Sequence, residues 1–358
     1  EEAVKRSGAA PEDFGHAVFG NVVHTERQDM YVSRAAAVNG GLPHETPAVT
    51  VNRLCGSGLQ AIITAAQQIE TDQCDAAVAG GTEVMSRAQY WMPSARFGQR
   101  MGDGKIIDAM VGALTCPFDD THMGITAENV ADKWDISRED QDALAVTSHN
   151  RAEAAIKEGR FKDQILPIEI TERRKTVVFD TDEHTRHGLT QADLTKMRPA
   201  FKKDGSVTAG NASGINDAAA AVTLMAADVA EAKGLKPMAR LAGYSFAGVE
   251  PKYMGIGPVP AVRKLLDKAG LGVGDIDVWE VNEAFAAQAL AVCRDLELPM
   301  DKVNVNGSGI SLGHPIGATG AIITVKALYE LQRTGGRYAV VTMCIGGGQG
   351  IAALFERV

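Results

Sequence analysis

Two strand-like runs, "HAVFGNVVH" (16–24) and "DAAVAGG" (75–81), flank "GLQAIITAAQQIE" (58–70), which is apolar nearly all round. A helix with one face in water keeps a polar stripe, so this one is expected to be buried on every side. The last third repeats the order: "VWEV" (278–281) as strand, "NEAFAAQALAVCRDL" (282–296) as helix, "GATGAIITVKALYELQ" (317–332) as helix and "YAVVTMC" (338–344) as strand. "AIIT" occurs at 61–64 and again at 321–324, each time after a glycine-rich turn and ahead of a strand that ends in glycines. Setting the halves in register on that tetrapeptide brings Asn21 close to Asn282, at the ends of matching strands. The pattern reads as an internal duplication. A duplicated open α/β unit predicts two similar sheets packed through a shared helical layer, with ligands at the carboxyl ends of the strands.

Residues 85–215 break the alternation. They are rich in polar helix, as in "SREDQDALAVTSHNRAEAAIKEGRF" (137–161), where Ser137 and Asp140 carry a capping-box signature, followed by the charged "TERRKTVVFDTDEHTRH" (171–187). This stretch is expected to be an inserted lid. The organisation expected is therefore 1–84 with 216–236 as one half, 85–215 as the lid and 237–358 as the other half. The opening "EEAVKRSGAAPEDFG" reads as the end of a helix closed by a C-cap glycine at Gly8, and the true N-terminus is expected to lie upstream.

Composition narrows the function classes. Hydrophobic residues make up 45% and charged residues 23% of 358, the balance of a compact globular chain with more than one core. The net charge is -9 and the longest basic run is Arg173, Arg174 and Lys175, so the overall field repels nucleic acid and acidic membranes. An anionic ligand then needs a local binding site. The longest apolar run, "AAAAVTLMAA" (218–227), is far short of the roughly 20 residues that span a bilayer. Five cysteines, Cys55, Cys74, Cys116, Cys293 and Cys344, are scattered and lack a CxxC pair, which argues against a disulfide framework or a zinc site and suits a reducing cytoplasm. No metal is expected.

Cys55 stands where a turn enters the buried helix, so unpaired N–H groups and the helix dipole should favour its thiolate; the alternative is a small core cysteine. Cys344, just ahead of "IGGGQG", has the same two readings. His314 lies in "GSGISLGHPIGATG" (307–320), as a base or as a structural loop histidine. Asn282 and Glu283 follow a strand, where an N-cap competes with a functional role. "GGGQG" lacks a following βαβ unit and a suitably spaced acid, which discounts a dinucleotide site. His184 and His187 in "DEHTRH" (182–187) read as part of a solvated segment.

Together, "VNRLCGSGL" (51–59), "HMGITAENVA" (122–131), "TAGNASGINDAAAA" (208–221), "NEAFAAQ" (282–288), "NGSGISLGHPIGATGA" (306–321) and "CIGGGQG" (344–350) resemble the thiolase family, in order and over essentially the whole chain. The texture is most similar to bacterial acetyl-CoA C-acyltransferases of the β-ketothiolase type. The resemblance implies a five-layered αβαβα fold from two duplicated halves, with a loop domain over the substrate. By resemblance Cys55 is the nucleophile, His314 the base that activates it, and Cys344 the second thiol that shuttles the α-proton. Asn282 would hold a water in one oxyanion hole with His314, and the Gly346 N–H would form the other with that of Cys55.

The resemblance also implies CoA thioesters and free CoA as substrates, no separate cofactor, and a homotetramer of tight dimers. It places Leu114, His122, Met123, Phe201, Ala209, Ser213, Gly214, Met254 and Phe285 along the pantetheine and acyl channel, and Arg186 by the CoA nucleotide. Plain core is the competing reading for the apolar members, Leu114 and Phe201 above all. Family members begin with a strand and a loop that this chain lacks, so its first sheet is expected to be a strand short. Two rivals remain: a ketoacyl synthase on the same fold, which pairs its cysteine with two histidines and takes carrier-protein substrates, and a non-catalytic acyl-CoA binder.

Overall fold

The computed structural model describes residues 1–172 and 175–358; Arg173 and Arg174 of the basic run lie outside the described residues. Eight strands build two four-stranded sheets. In chain order β1 is His16–Gly20, β2 Ala48–Val51, β3 Ala76–Val84, β4 Asp217–Met225, β5 Ala239–Gly248, β6 Val278–Val281, β7 Tyr338–Ile345 and β8 Gln349–Arg357. The first sheet runs β2-β1-β3-β4 and the second β6-β7-β8-β5. The duplication is visible in the pairing: β1 runs parallel to β3 as β6 does to β7, and each is followed by an antiparallel neighbour, β4 or β8. Trp279 of β6 also makes a lone parallel bridge to Val303, as β2 flanks β1.

Between the sheets lie α1 (Ser57–Glu70) and α6 (Thr319–Thr334), the two apolar helices of the repeat. Helix Val32–Asn39 covers the outer face of the first sheet and α4 (Pro258–Ala269) that of the second, which makes five layers, α, β, α, β, α. Leu59 and Ile63 of α1 meet Ile323 and Leu331 of α6 and Val341 and Met343 of β7 in one buried cluster. The two helices approach backbone to backbone. A Cβ on Gly58 would stand 2.7 Å from Ala321 N, and one on Gly320 2.8 Å from Leu59 Cβ, so the closeness depends on glycine at both places.

Two boundaries differ from the hydrophobic pattern. The strand expected over 16–24 stops at Gly20, because the N–H groups of Val22 and Val23 donate to the Glu83 carboxylate instead of a ladder. The helix expected over 282–296 is α5, Ala286–Asp295. Asn282 N–H still donates to Thr342 O of β7, and Phe285, extended at φ -145, is the residue before the helix; the N-cap reading of Asn282 and Glu283 is therefore wrong. The start of the chain is a helix, Glu2–Ser7, closed by Gly8 at φ 75 as its sequence implies.

Residues 85–215 contain α2 (Met123–Lys133), α3 (Arg138–Lys157) and the exposed hairpin Ile168–Glu172 with Lys175–Phe179. Ser137 Oγ caps α3 by accepting from Asp140 N at 3.0 Å. The polar surface of α3 is partly buried, since Ser148 Oγ donates to Glu283 Oε2 (2.6 Å) and Asn211 Nδ2 to Asp142 Oδ1 (2.8 Å). Segment 182–187 is likewise not simply solvated, which corrects the sequence reading. Thr185 is buried with its hydroxyl on Ser311 O, and the His184 ring meets Ile310 O, while His187 stays exposed. Charge density misled there because these side chains are satisfied by backbone carbonyls far along the chain.

Lys326 of α6 pairs with Glu280 of β6 at 2.9 Å, with almost no solvent at either end. Removing one partner of a buried pair strands the other charge. Lys326→Met should lower stability by about 3–5 kcal/mol, measured by urea unfolding; a change below about 1 kcal/mol, the range of surface pairs, would contradict it.

Candidate active site

Cys55 sits on the turn between β2 and α1, immediately before Gly56, the residue that leads into the helix. The turn is tied locally: Asn52 Oδ1 accepts Leu54 N–H (2.9 Å), and Ser57 Oγ accepts Arg53 N–H (2.9 Å) while donating to Leu54 O (2.6 Å). Leu54 is held at φ 45, a left-handed conformation uncommon for a bulky residue, directly before the thiol. Protein crowds the sulfur from most directions, yet Cys55 keeps some exposed surface, as an approachable nucleophile must.

The expected thiolate is not what this environment favours. Burial pushes the Cys55 thiol up to about 11, outweighing the N–H groups of Gly346 and of Cys55 itself that pull it down; the Glu83 charge adds to the rise. Desolvation disfavours the charged form of an acid, and here it exceeds the help from a helix start. At rest Cys55 is a neutral thiol.

Cys344 lies one residue from the end of β7 and is fully buried. Burial raises its thiol strongly, and charge on Cys55 raises it further, which places the two sulfurs within electrostatic reach. Gly346, two residues on, aims its N–H at Cys55. The end of β7 thus brings a second thiol and a bare N–H donor to Cys55.

His314 follows Gly313 (φ 99) and is buried. Its Nδ1 lies 2.7 Å from Thr319 Oγ1, whose proton goes to Pro315 O at 3.0 Å. The hydroxyl is then an acceptor, which assigns the proton to Nδ1 and leaves Nε2 as the ring's hydrogen-bond acceptor. That Nε2 accepts from Asn282 Nδ2 at 3.4 Å, and Asn282 Oδ1 is buried with no hydrogen-bond partner among the described residues. Burial holds the imidazole down at about 4, so it is neutral and able to accept a proton. Ile316 of the same loop packs in one apolar cluster with Val22, Val23 and Cys55. A thiol from the first half and an imidazole loop and a second thiol from the other half therefore converge.

Two family models cover this chain: the thiolase N-terminal domain over residues 1–228 and the thiolase C-terminal domain over 235–357. The chain belongs to the thiolase family. It is 63% identical over 358 residues to Beta-ketothiolase BktB of Cupriavidus necator, spanning 100% of this chain and 91% of that one. An acetyl-CoA acetyltransferase of Syntrophomonas wolfei is 51% identical over 360 residues, with 99% of this chain and 90% of the relative covered. Among solved structures, human mitochondrial 3-ketoacyl-CoA thiolase in complex with CoA superposes at a TM-score of 0.96, with 45% identity and coverage of 100% of this chain and 90% of that one. This thiolase is accordingly an acyltransferase.

Around Cys344 the thiolase has an apolar wall of Cys116, Met123, Ala127, Val207, Met254, Ala284 and Phe285, with Leu114 and Phe201 packed on it. His122 starts α2, its Nδ1 accepting Gly124 N–H (3.0 Å), and its ring stacks on Phe201 at 4.8 Å; Phe201 in turn meets Phe285 edge-on at 6.1 Å. Ser213 N–H donates to Ala284 O, which brings the "NASG" loop alongside the Phe285 segment, and Gly214 lies against the His184 ring. Ala209 and Arg186 stand apart from this wall, exposed; the Arg186 N–H bonds His149 Nδ1 at 3.0 Å.

Several residues at the site escaped the sequence reading. Thr319 orients the His314 ring, and Asn216 accepts the His314 N–H at 3.2 Å. Cys116, set aside as one of five scattered cysteines, is buried in the same cluster as Cys344. Only the position of Thr319 one turn beyond His314, at the start of the next helix, could have pointed to it.

Proposed function

We propose that this thiolase catalyses the reversible CoA-dependent thiolysis of a 3-ketoacyl-CoA to acetyl-CoA and a shortened acyl-CoA, through an acyl-cysteine intermediate. The observation that carries the reading is that charge on Cys55 reaches Cys344, the Gly346 N–H meets Cys55, and Ile316, two residues from the neutral His314, packs in one cluster with Cys55. In the degradative direction the Cys55 sulfur attacks the 3-keto carbon while His314 takes its proton. Attack and proton transfer are coupled, because neither a thiolate nor an imidazolium is stable there beforehand.

The N–H groups of Cys55 and Gly346 receive the developing oxyanion. Cleavage of the C2–C3 bond leaves the acyl group on Cys55 and a carbanion on acetyl-CoA, which Cys344 protonates. The incoming CoA thiol gives its proton to the Cys344 thiolate and attacks the acyl group, and His314 returns its proton to the leaving Cys55 sulfur. All protons are thereby restored. Reversal is a Claisen condensation of acetyl-CoA with an acyl-CoA. His314 with Asn282 stabilises the enolate oxygen, by way of a bound water.

Residues 85–215 serve as the lid over CoA in this reading, with Arg186 by the nucleotide and the His122–Phe201–Phe285 wall along the pantetheine and acyl channel. The exposed apolar side chains Tyr90, Trp91, Phe97, Met101 and Ile106 support assembly through this lid into a homotetramer, and a role in cytoplasmic fatty acid metabolism fits the chemistry. A ketoacyl synthase is disfavoured because a thiol, Cys344, stands where that rival uses a histidine. Mixing the purified protein with acetoacetyl-CoA and CoA should consume the enolate absorbance of the substrate. A binder without chemistry would leave that absorbance unchanged.

A further inference from the structure

We propose that Glu83 is a positioning residue whose ionised carboxylate seats the His314 loop against the Cys55 turn across the junction of the two halves. The inference rests on the acyl-transfer reading above. Glu83 is the last residue but one of β3 and is wholly buried. Its Oε2 accepts Gly317 N–H at 2.9 Å and Val22 N–H at 3.1 Å; its Oε1 accepts Val23 N–H at 3.0 Å and the Asn21 amide at 3.3 Å. Gly317 lies three residues beyond His314, while Val22 and Val23 wall the Cys55 turn together with Ile316. One carboxylate thus ties both pieces of machinery to the end of a rigid strand.

The seating is tight. A Cβ on Gly317 would stand 2.6 Å from Glu83 Oε2 and 2.7 Å from Thr82 O, and the Gly317 carbonyl is pressed against Gly20 and Gly58 on the other side. The Gly317 peptide is therefore clamped between Glu83 and the start of α1. A shift of about 1 Å in such a loop is enough to lower a rate about 10²-fold.

Charge on Glu83 is required because every hydrogen-bond partner it has is a donor. A proton on either oxygen would point at an N–H group, and the seat would open. Burial pushes this carboxyl up to about 7, against the pull of the Val23, Val22 and Gly317 N–H groups and with a further push from Asp29. The thiols and the imidazole at the junction change state well away from that pH. Cys55 on its turn is pushed up to about 11, Cys344 on β7 is raised strongly, and His314 on its loop is held down at about 4. Asp29 is held below the usual carboxylate range with bonds from Thr25 and Glu26, and Asp217, opposite Val84 on β4, turns to Ser86. His24 is exposed and acts on Asp29. Activity should fall as pH drops through about 7, and an acid limb that disappears in Glu83→Gln would report Glu83.

The test is the pH profile of acetoacetyl-CoA thiolysis for the wild type, Glu83→Gln and Glu83→Asp. Glutamine must turn its amide NH2 toward two N–H donors, so kcat should fall about 10²-fold with KM within about threefold, and the acid limb near pH 7 should vanish. Aspartate keeps the charge but withdraws it, so kcat falls and the acid limb stays. A folded Glu83→Gln that keeps the wild-type rate, or that is slow yet retains the acid limb, overturns the proposal. Should Glu83→Gln fail to fold, a wild-type or Glu83→Asp profile flat from about pH 6 to about pH 8 overturns it equally. A wild type inactive at every pH sinks the acyl-transfer reading instead.

Discussion

Cys55→Ser should abolish the acyl-enzyme and reduce thiolysis by about 10⁴-fold or more, the scale on which loss of a nucleophile is felt. The substitution is nearly isosteric, and the hydroxyl can still accept the Gly346 N–H, so the fold should survive. What is lost is a polarisable sulfur that leaves readily as well as attacks. Intact mass after incubation with acetyl-CoA checks the first half: an acetyl adduct on the wild type and none on the variant. An adduct of equal yield on Cys55→Ser would remove Cys55 from the mechanism. A second readout follows from the raised thiol. Iodoacetamide labelling of Cys55 in the ligand-free protein should keep rising with pH toward about 11 rather than level off near neutrality, because the thiolate is the reactive form. A plateau reached by about pH 7 would show that the helix start outweighs burial after all.

Cys344→Ser should separate the two half-reactions. Serine is a far weaker acid-base group, so α-proton exchange on acetyl-CoA and overall thiolysis should drop by about 10²–10⁴-fold, the usual contribution of a positioned acid or base. Acetylation of Cys55 by acetyl-CoA needs only His314 and the N–H donors, and should persist. The measurements are deuterium incorporation into acetyl-CoA from heavy water and the acetyl adduct by mass. Equal loss of both in the Cys55 and Cys344 variants would contradict the assigned division of labour. Cys344 is fully buried within the Met254 and Phe285 cluster, so the added polarity will also lower stability, and both readouts belong well below the unfolding temperature.

Much of this thiolase was legible before any coordinates. The apolar run of 58–70 became α1, the "VWEV" and "YAVVTMC" runs became β6 and β7, and the repeated "AIIT" marked the two helices that meet at the centre. Such features are local. Side-chain periodicity and glycine placement act on the few residues around them, so they can be read one window at a time. The glycines near Cys55 and Cys344 announced close approach without saying to what; Gly58 turned out to meet α6, and Gly346 the Cys55 thiol.

Where the reading failed, the cause was distant in the chain. Asn282 lies outside the helix because Thr342 holds its N–H and Ala212 pairs with the extended Phe285, partners more than 50 residues away in the chain. The strand after His16 ends at Gly20 because Glu83 takes the next N–H groups. Thr185 is buried by Ser311 despite its charged surroundings.

The amino-acid order by itself determined the elements and the duplication, and singled out Cys55, His314 and Cys344 as candidates, since each is written in neighbouring residues. Tertiary structure alone decided their state: Cys55 a thiol and not a thiolate, His314 neutral with its proton on Nδ1, and Glu83 a buried acceptor for the Gly317 N–H beyond His314. Desolvation and hydrogen bonding depend on what chain folding brings alongside a group, and no window of sequence contains that.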